Sequence, residues 1–238
     1  RVVTMPLDGV PITVLPQAEL DLKYFHQRDV FSDDPWTDEV EPAEPFELAV
    51  MIVNNGAGEA RNLRITSAQP EIIENEKGLL IDFDIIASQV DGQPLTPSLT
   101  TNFGTIGAGE ISIGRWLLTS TLQGHFTDYE ATFKHIDGLG DERLSLIKSV
   151  DIYEMIRSVT AGAAFDDGLH DFLTNEVPDI EDLPDTLHLS DGSIVDVALA
   201  DEGLAAVTGA LSPSNFTVTL DAEMDAGWHY LRLTDRDP

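Results

Sequence analysis

The residues best equipped for chemistry in this sequence are its carboxylates. It has 43 Asp and Glu against 13 Lys and Arg, a formal net charge of −30. Two short stretches concentrate oxygen donors where the chain can curl. One is the run holding Asp33, Asp34 and Asp38; the other is Asp137-Gly138-Leu139-Gly140-Asp141-Glu142, whose glycines free the backbone to wrap an ion. Ca²⁺ is the cation such sites would take, because it accepts six to eight hard oxygens in flexible geometry. Asp179, Glu181, Asp182 and Asp185 form a third acidic run. None of these matches an EF-hand loop or a glycine-rich nonapeptide, so the competing reading is an acidic loop that is simply solvated. Trp36 is the other candidate. It sits in a polar loop where no core obviously needs it and could stack on a sugar ring, the competing reading being that it packs the loop down, whereas Trp116 and Trp228 read as core residues.

Catalytic constellations do not emerge. There is no cysteine, which excludes thiol nucleophiles, disulfides and cysteine-ligated zinc. The six histidines are scattered without an H-E-x-x-H, and no G-x-S-x-G, P-loop or G-x-G-x-x-G is present. The expectation is a non-enzymatic protein that needs no cofactor, with Ca²⁺ as the one ion its loops suit.

The charge narrows the partners. A folded chain of this mass exposes roughly 10,500 Å², which spreads one excess negative charge over about every 350 Å². Nucleic acid and anionic membrane surfaces are repelled by such a field. No apolar run is long enough to span a bilayer as a helix. The hydrophobic fraction of 42% is nevertheless that of a chain with a core, not of an acidic disordered tail. The charge is also uneven. From Ser158 to Leu231 there is no Lys or Arg but there are 15 acids, and the stretch from Asp29 to Glu47 holds eight more with no base.

The elements that must hold these residues are strands. Leu20, Leu22 and Tyr24 alternate with Asp21 and Lys23, the period of a half-buried strand. Pro35, Pro42 and Pro45 keep the following acidic stretch out of helix and out of a central strand. Phe46–Val53 is almost wholly apolar and reads as a strand buried on both faces, ending in an Asn54–Gly58 turn. Further strands are expected near 61–67 and 79–87, with a turn at Asp91-Gly92. A long hairpin is expected from 111–121 and 126–136 around Gln123-Gly124. The stretch 144–159 carries both helical and strand spacings and is read as a strand. Turns recur every 10–20 residues, the rhythm of an antiparallel sandwich. The composition changes after Ala161-Gly162-Ala163-Ala164, and shorter strands are expected at 186–189, 193–199, 216–220 and 228–233.

Within this pattern, Phe46–Ser67 (FELAVMIVNNGAGEARNLRITS) resembles the bacterial Ig-like modules of the CARDB and adhesion-domain type. An apolar strand runs into Asn54-Asn55-Gly56, then Ala60, then Asn62-Leu63-Arg64-Ile65. The later Phe103-Gly104-Thr105-Ile106-Gly107-Ala108-Gly109 is similar to the turn before the next strand of those modules. The resemblance covers about 90 residues, through turn and core letters. It implies an Ig-like antiparallel β-sandwich, elaborated over 1–160, and the composition change is read as the start of a smaller acidic β domain over 163–238, incomplete at its C-terminal end. It also implies a secreted or cell-surface setting in which such modules act as spacers or adhesins. Arg1-Val2-Val3 and Asp235-Arg236-Asp237-Pro238 read as the ends of a segment of a larger protein. The leading expectation is therefore a structural or adhesive segment whose partners are neighbouring domains or further copies. A glycan- or Ca²⁺-binding accessory module is the alternative.

Overall fold

The structure is a computed structural model. It describes residues 14–65, 71–72, 81–125, 129–130, 146–160, 167–176, 183–198, 208–211, 218–221, 227 and 229–230. Those residues contain strands and no helix. In chain order the strands are β1 (Leu20–His26), β2 (Asp29–Val30), β3 (Phe46–Asn54), β4 (Ala60–Ile65), β5 (Glu71–Ile72) and β6 (Phe83–Val90). There follow β7 (Gln93–Leu95), β8 (Thr101–Ile106), β9 (Ile111–Ser120), β10 (Gly124–His125), β11 (Tyr129–Glu130) and β12 (Ile147–Val159). The last are β13 (Asp171–Asn175), β14 (Thr186–His188), β15 (Ile194–Asp196), β16 (Thr208–Leu211) and β17 (Val218–Asp221).

Nine of these form one sheet in the order β15-β14-β13-β12-β1-β3-β9-β6-β7. β3 lies in its interior, beside the middle strand β1, and the apolar composition of Phe46–Val53 explains why. Phe46, Leu48, Val50 and Ile52 face one core with Leu20, Leu22 and Tyr24 of β1 and with Trp116 and Leu118 of β9. Ala49 and Met51 face a second core with Phe25 and Ile113. A strand with period-2 alternation loses one set of side chains to water; a strand apolar on both sides can only sit between two layers. Burying a side chain such as Phe25 or Ile52 in this way contributes about 1.5–3 kcal/mol.

The first core is covered by the two-stranded β4–β8 ribbon, which delivers Ala60, Ile65, Phe103 and Ile106. Gly114 in the middle of β9 permits this approach. A Cβ there would stand 2.6 Å from Cζ of Phe103. Asn54, fully buried at the end of β3, ties the layers together. Its Oδ1 accepts from the amides of Glu19 and Gly56, and its Nδ2 donates to the carbonyls of Gly58 and Gly107, each at 2.8 Å. The polar Asn54-Asn55-Gly56 stretch is thus a turn, as its letters suggest.

The second core is covered by the sheet itself. β12 runs for 13 residues and shifts register between Met155 and Arg157, a bulge that bends and twists the strand. Beyond it, β13–β15 curl over β1, β3 and β9. Phe172 stacks on Phe25 with ring centroids 4.3 Å apart. A Cβ on Gly192, in the β14–β15 turn, would come within 2.7 Å of Cδ1 of Ile111 on β9, although β15 and β9 stand six places apart in the sheet.

Several expectations change here. The sheet is mixed, not purely antiparallel: β1 pairs with β12 in parallel from Leu20↔Ile147 to His26↔Glu154. A parallel pair needs a long crossover, here everything between residues 27 and 146, and no local pattern announces it. Within the stretch 144–159, read as a strand, Ile147–Val159 forms β12. Instead of a hairpin around Gln123-Gly124, β9 pairs with β3 and β6, while β10 pairs with β2. The Gln123 amide donates to the Asp33 carbonyl and so diverts the chain toward the acidic stretch. Most of 126–136 lies outside the described residues, as does most of 228–233, including Trp228. Asp91-Gly92 turns as expected, with φ of 47° and 73°, the signature of a type I′ hairpin. The expected boundary at 160–163 falls between β12 and β13, which are neighbouring antiparallel strands of the one sheet.

Both sheet edges are short. At β7 the edge carries Pro94, which removes a donor. At β15 it is three residues long, with Ile194 and Val195 exposed.

Candidate functional site

The acidic stretch between β2 and β3 is an organised loop. The Glu44 amide donates to the Phe31 carbonyl at its base, at 2.9 Å. Further out, the Asp34 amide donates to Oε2 of Glu41 at 2.7 Å, and the Glu41 amide donates to Oδ1 of Asp33 at 3.1 Å. At the tip, Oδ1 of Asp34 accepts from the Trp36 amide, and the Thr37 hydroxyl donates to the carbonyls of Asp34 and Glu39. Ser32 anchors the base, its hydroxyl donating to the Ser120 carbonyl at 2.7 Å. Asp and Ser favour such local bonds to backbone amides, and three prolines limit what else the segment can do.

This geometry sorts the sequence candidates. Asp33 and Asp34 spend carboxylate oxygens on backbone amides, and Asp38 projects at the tip. Among the described residues no three His, Asp or Glu side chains converge as a metal site. Asp137, Asp141 and Glu142 lie outside the described residues. Trp36 is 71% exposed, and Val40 is 88% exposed on the same six-residue tip. Trp116, in contrast, is buried in the first core, with Nε1 donating to the Ser98 carbonyl at 2.9 Å. Val40 was not singled out by sequence, although an apolar residue between Glu39 and Glu41 in a proline-rich loop is a readable anomaly.

The buried polar groups were not legible in the sequence. Arg28 and Glu154, both nearly inaccessible, form an ion pair at 3.4 Å. Asn175 donates to the same Oε2 of Glu154 at 3.5 Å. Register explains the meeting, since Glu154 lies beside His26 on β1 and opposite Asn175 on β13. Burial lowers the His26 imidazole to about 3, so the ring is neutral at pH 7. On the other face, Arg115 pairs with Glu47 and donates to the Ser158 hydroxyl at 3.3 Å. Burial lowers the neighbouring His170, and Arg115 adds to that effect.

His188 occupies the centre of the second core. Its ring centroid lies 5.2 Å from that of Phe25 and 4.5 Å from that of Tyr153. Neither ring nitrogen has a hydrogen-bond partner. Burial, with a smaller contribution from the Lys23 charge, lowers it to about 4. Of these groups, Arg28, Glu154 and Asn175 are buried together and bind one another, whereas His188 is buried among aromatic rings.

Comparison with protein families, with curated proteins and with solved structures finds no match to this chain.

Proposed function

We propose that this chain is a non-catalytic structural or adhesive segment of a larger secreted or cell-surface protein. The observation that carries this reading is the continuous nine-stranded sheet with both faces covered, one by the β4–β8 ribbon and the other by its own C-terminal limb. Such a body is built from packing, and its buried charges are spent on internal pairs. What it offers outward is two short edges, a strongly acidic surface and the 31–44 loop. Within the proposal the Ig-like sandwich corresponds to the first core with its ribbon cover. The packed unit extends through β15, and a second small β unit would gather around the β16–β17 pair.

A structural segment must resist force as one body. Stretching the chain between handles at its ends should give one dominant cooperative event releasing on the order of 600 Å, the extended length of the residues spanning β1 to β15. Gradual extension at low force, with no discrete event, would remove the basis of this reading.

A further inference from the structure

We propose that the tip of the 31–44 loop is a docking finger for a protein surface bearing an apolar pocket rimmed by Lys and Arg. This deepens the reading above, and rests on it for the premise that the segment makes contacts and not chemistry.

Three observations converge on the loop. The first is exposure. Trp36 and Val40 project from the same tip, and Phe31 is 58% exposed at the base. The core is closed without them, with Trp116 as its buried indole. Large apolar side chains grouped on a surface mark interaction sites, and tryptophan is the residue most enriched among those that dominate binding energy.

The second is rigidity. The rungs joining Phe31 to Glu44 and Asp33 and Asp34 to Glu41, with the Asp34–Thr37–Glu39 bonds at the tip, fix the backbone before any partner arrives. A preordered loop forfeits little entropy on docking.

The third is charge. Asp33, Asp34 and Glu41 are used in holding the loop, but Asp38 and Glu39 are exposed at the apolar tip and Glu44 is exposed where the loop closes on Phe31, and the loop contains no Lys or Arg. A complementary partner must therefore present cations around an apolar recess. A second copy of this chain, at −30, is repelled, and so is an anionic lipid surface. A neutral sugar could stack on Trp36 but would leave Val40 and the exposed acids without counterparts.

The test uses the whole chain and two labelled peptides of equal charge, Lys-Leu-Lys-Leu-Lys-Leu-Lys and Lys-Gly-Lys-Gly-Lys-Gly-Lys, read by fluorescence anisotropy. The Leu peptide should bind at least about tenfold more tightly than the Gly peptide. The double variant Trp36→Ala/Val40→Ala should bring the two to within about threefold of each other. The variant Asp38→Asn/Glu39→Gln/Glu44→Gln should weaken both peptides and reduce the salt dependence of binding. An unchanged Leu-to-Gly ratio in the double variant overturns the proposal, as does the lack of any preference for Leu. Retention on a neutral glucan hexasaccharide that depends on Trp36, without peptide preference, overturns it in favour of a glycan. Because these side chains are exposed, the variants keep the wild-type fold, which an unchanged melting temperature verifies. A failed docking test leaves the force measurement standing, so the two readings fail separately.

Discussion

The two-faced sheet and the acidic loop treat the same residue types in opposite ways. In the sheet, Trp116 is buried and hydrogen-bonded, and the carboxylate of Glu154 is enclosed with Arg28 and Asn175. In the loop, sixteen residues past the start of β1, Trp36 is 71% exposed, and the acids of the loop have no Lys or Arg among them. The difference teaches that charge in this molecule has two roles. Inside the sheet it is neutralised in pairs that fix where strands meet. On the loop it is left uncompensated, where it costs little because water screens it.

That contrast sets the order of expected effects. The largest belongs to the enclosed pair. Arg28→Ala leaves a buried carboxylate without its cation and should cost about 3–5 kcal/mol, measured by denaturant unfolding. A loss below about 1 kcal/mol would mean that Arg28 behaves like a surface residue, and the contrast would collapse.

An intermediate effect concerns the buried imidazoles. His188 and His26 have folded values of about 4 and about 3, below the ordinary 6.5. The unfolded chain therefore takes up protons first as pH falls. Their contribution to stability is intact above about pH 6.5 and declines as pH drops toward 4 for His188 and toward 3 for His26. His188→Phe replaces two unpartnered ring nitrogens with carbon among the rings of Phe25, Tyr153 and Phe172. It should raise stability at pH 7 by about 1 kcal/mol and flatten the decline between pH 6.5 and 4. Melting curves across that range decide it, and an unaltered slope would show that the ring is hydrated in the folded protein.

The smallest effect belongs to the loop. Trp36→Ala should change stability by no more than about 0.5 kcal/mol, equivalent to a shift of roughly 1–2 °C in melting temperature. A loss of several degrees would show that Trp36 packs onto the body, and would erase the distinction between the two regions.

Strand content was readable because it is written locally. The alternation of Leu20, Leu22 and Tyr24, the unbroken apolar run of β3 and the turns at Asn54-Asn55-Gly56 and Asp91-Gly92 each report their own backbone. The exposed Trp36 was legible for the same reason, since its neighbours are prolines and acids. Glu154 was not. In sequence it is an acidic interruption of an otherwise plausible strand face. Its partner Arg28 lies 126 residues away, and only the parallel register of β1 on β12 brings them together. His188 likewise read as an ordinary strand histidine until the curl of β13–β15 enclosed it.

The sequence by itself determined that this is a β protein with an acidic, proline-held loop and a central strand requiring cover on both sides. Those properties follow from side-chain period, turn chemistry and net charge, all of which act over a few residues or over the surface as a whole. The tertiary structure alone decided that β1 and β12 run parallel, that the sheet closes over its own second face, and that Arg28, Glu154 and Asn175 share one buried site. Strand pairing is a competition among distant segments. It is settled by which arrangement buries the most apolar surface while leaving the fewest charges unpaired.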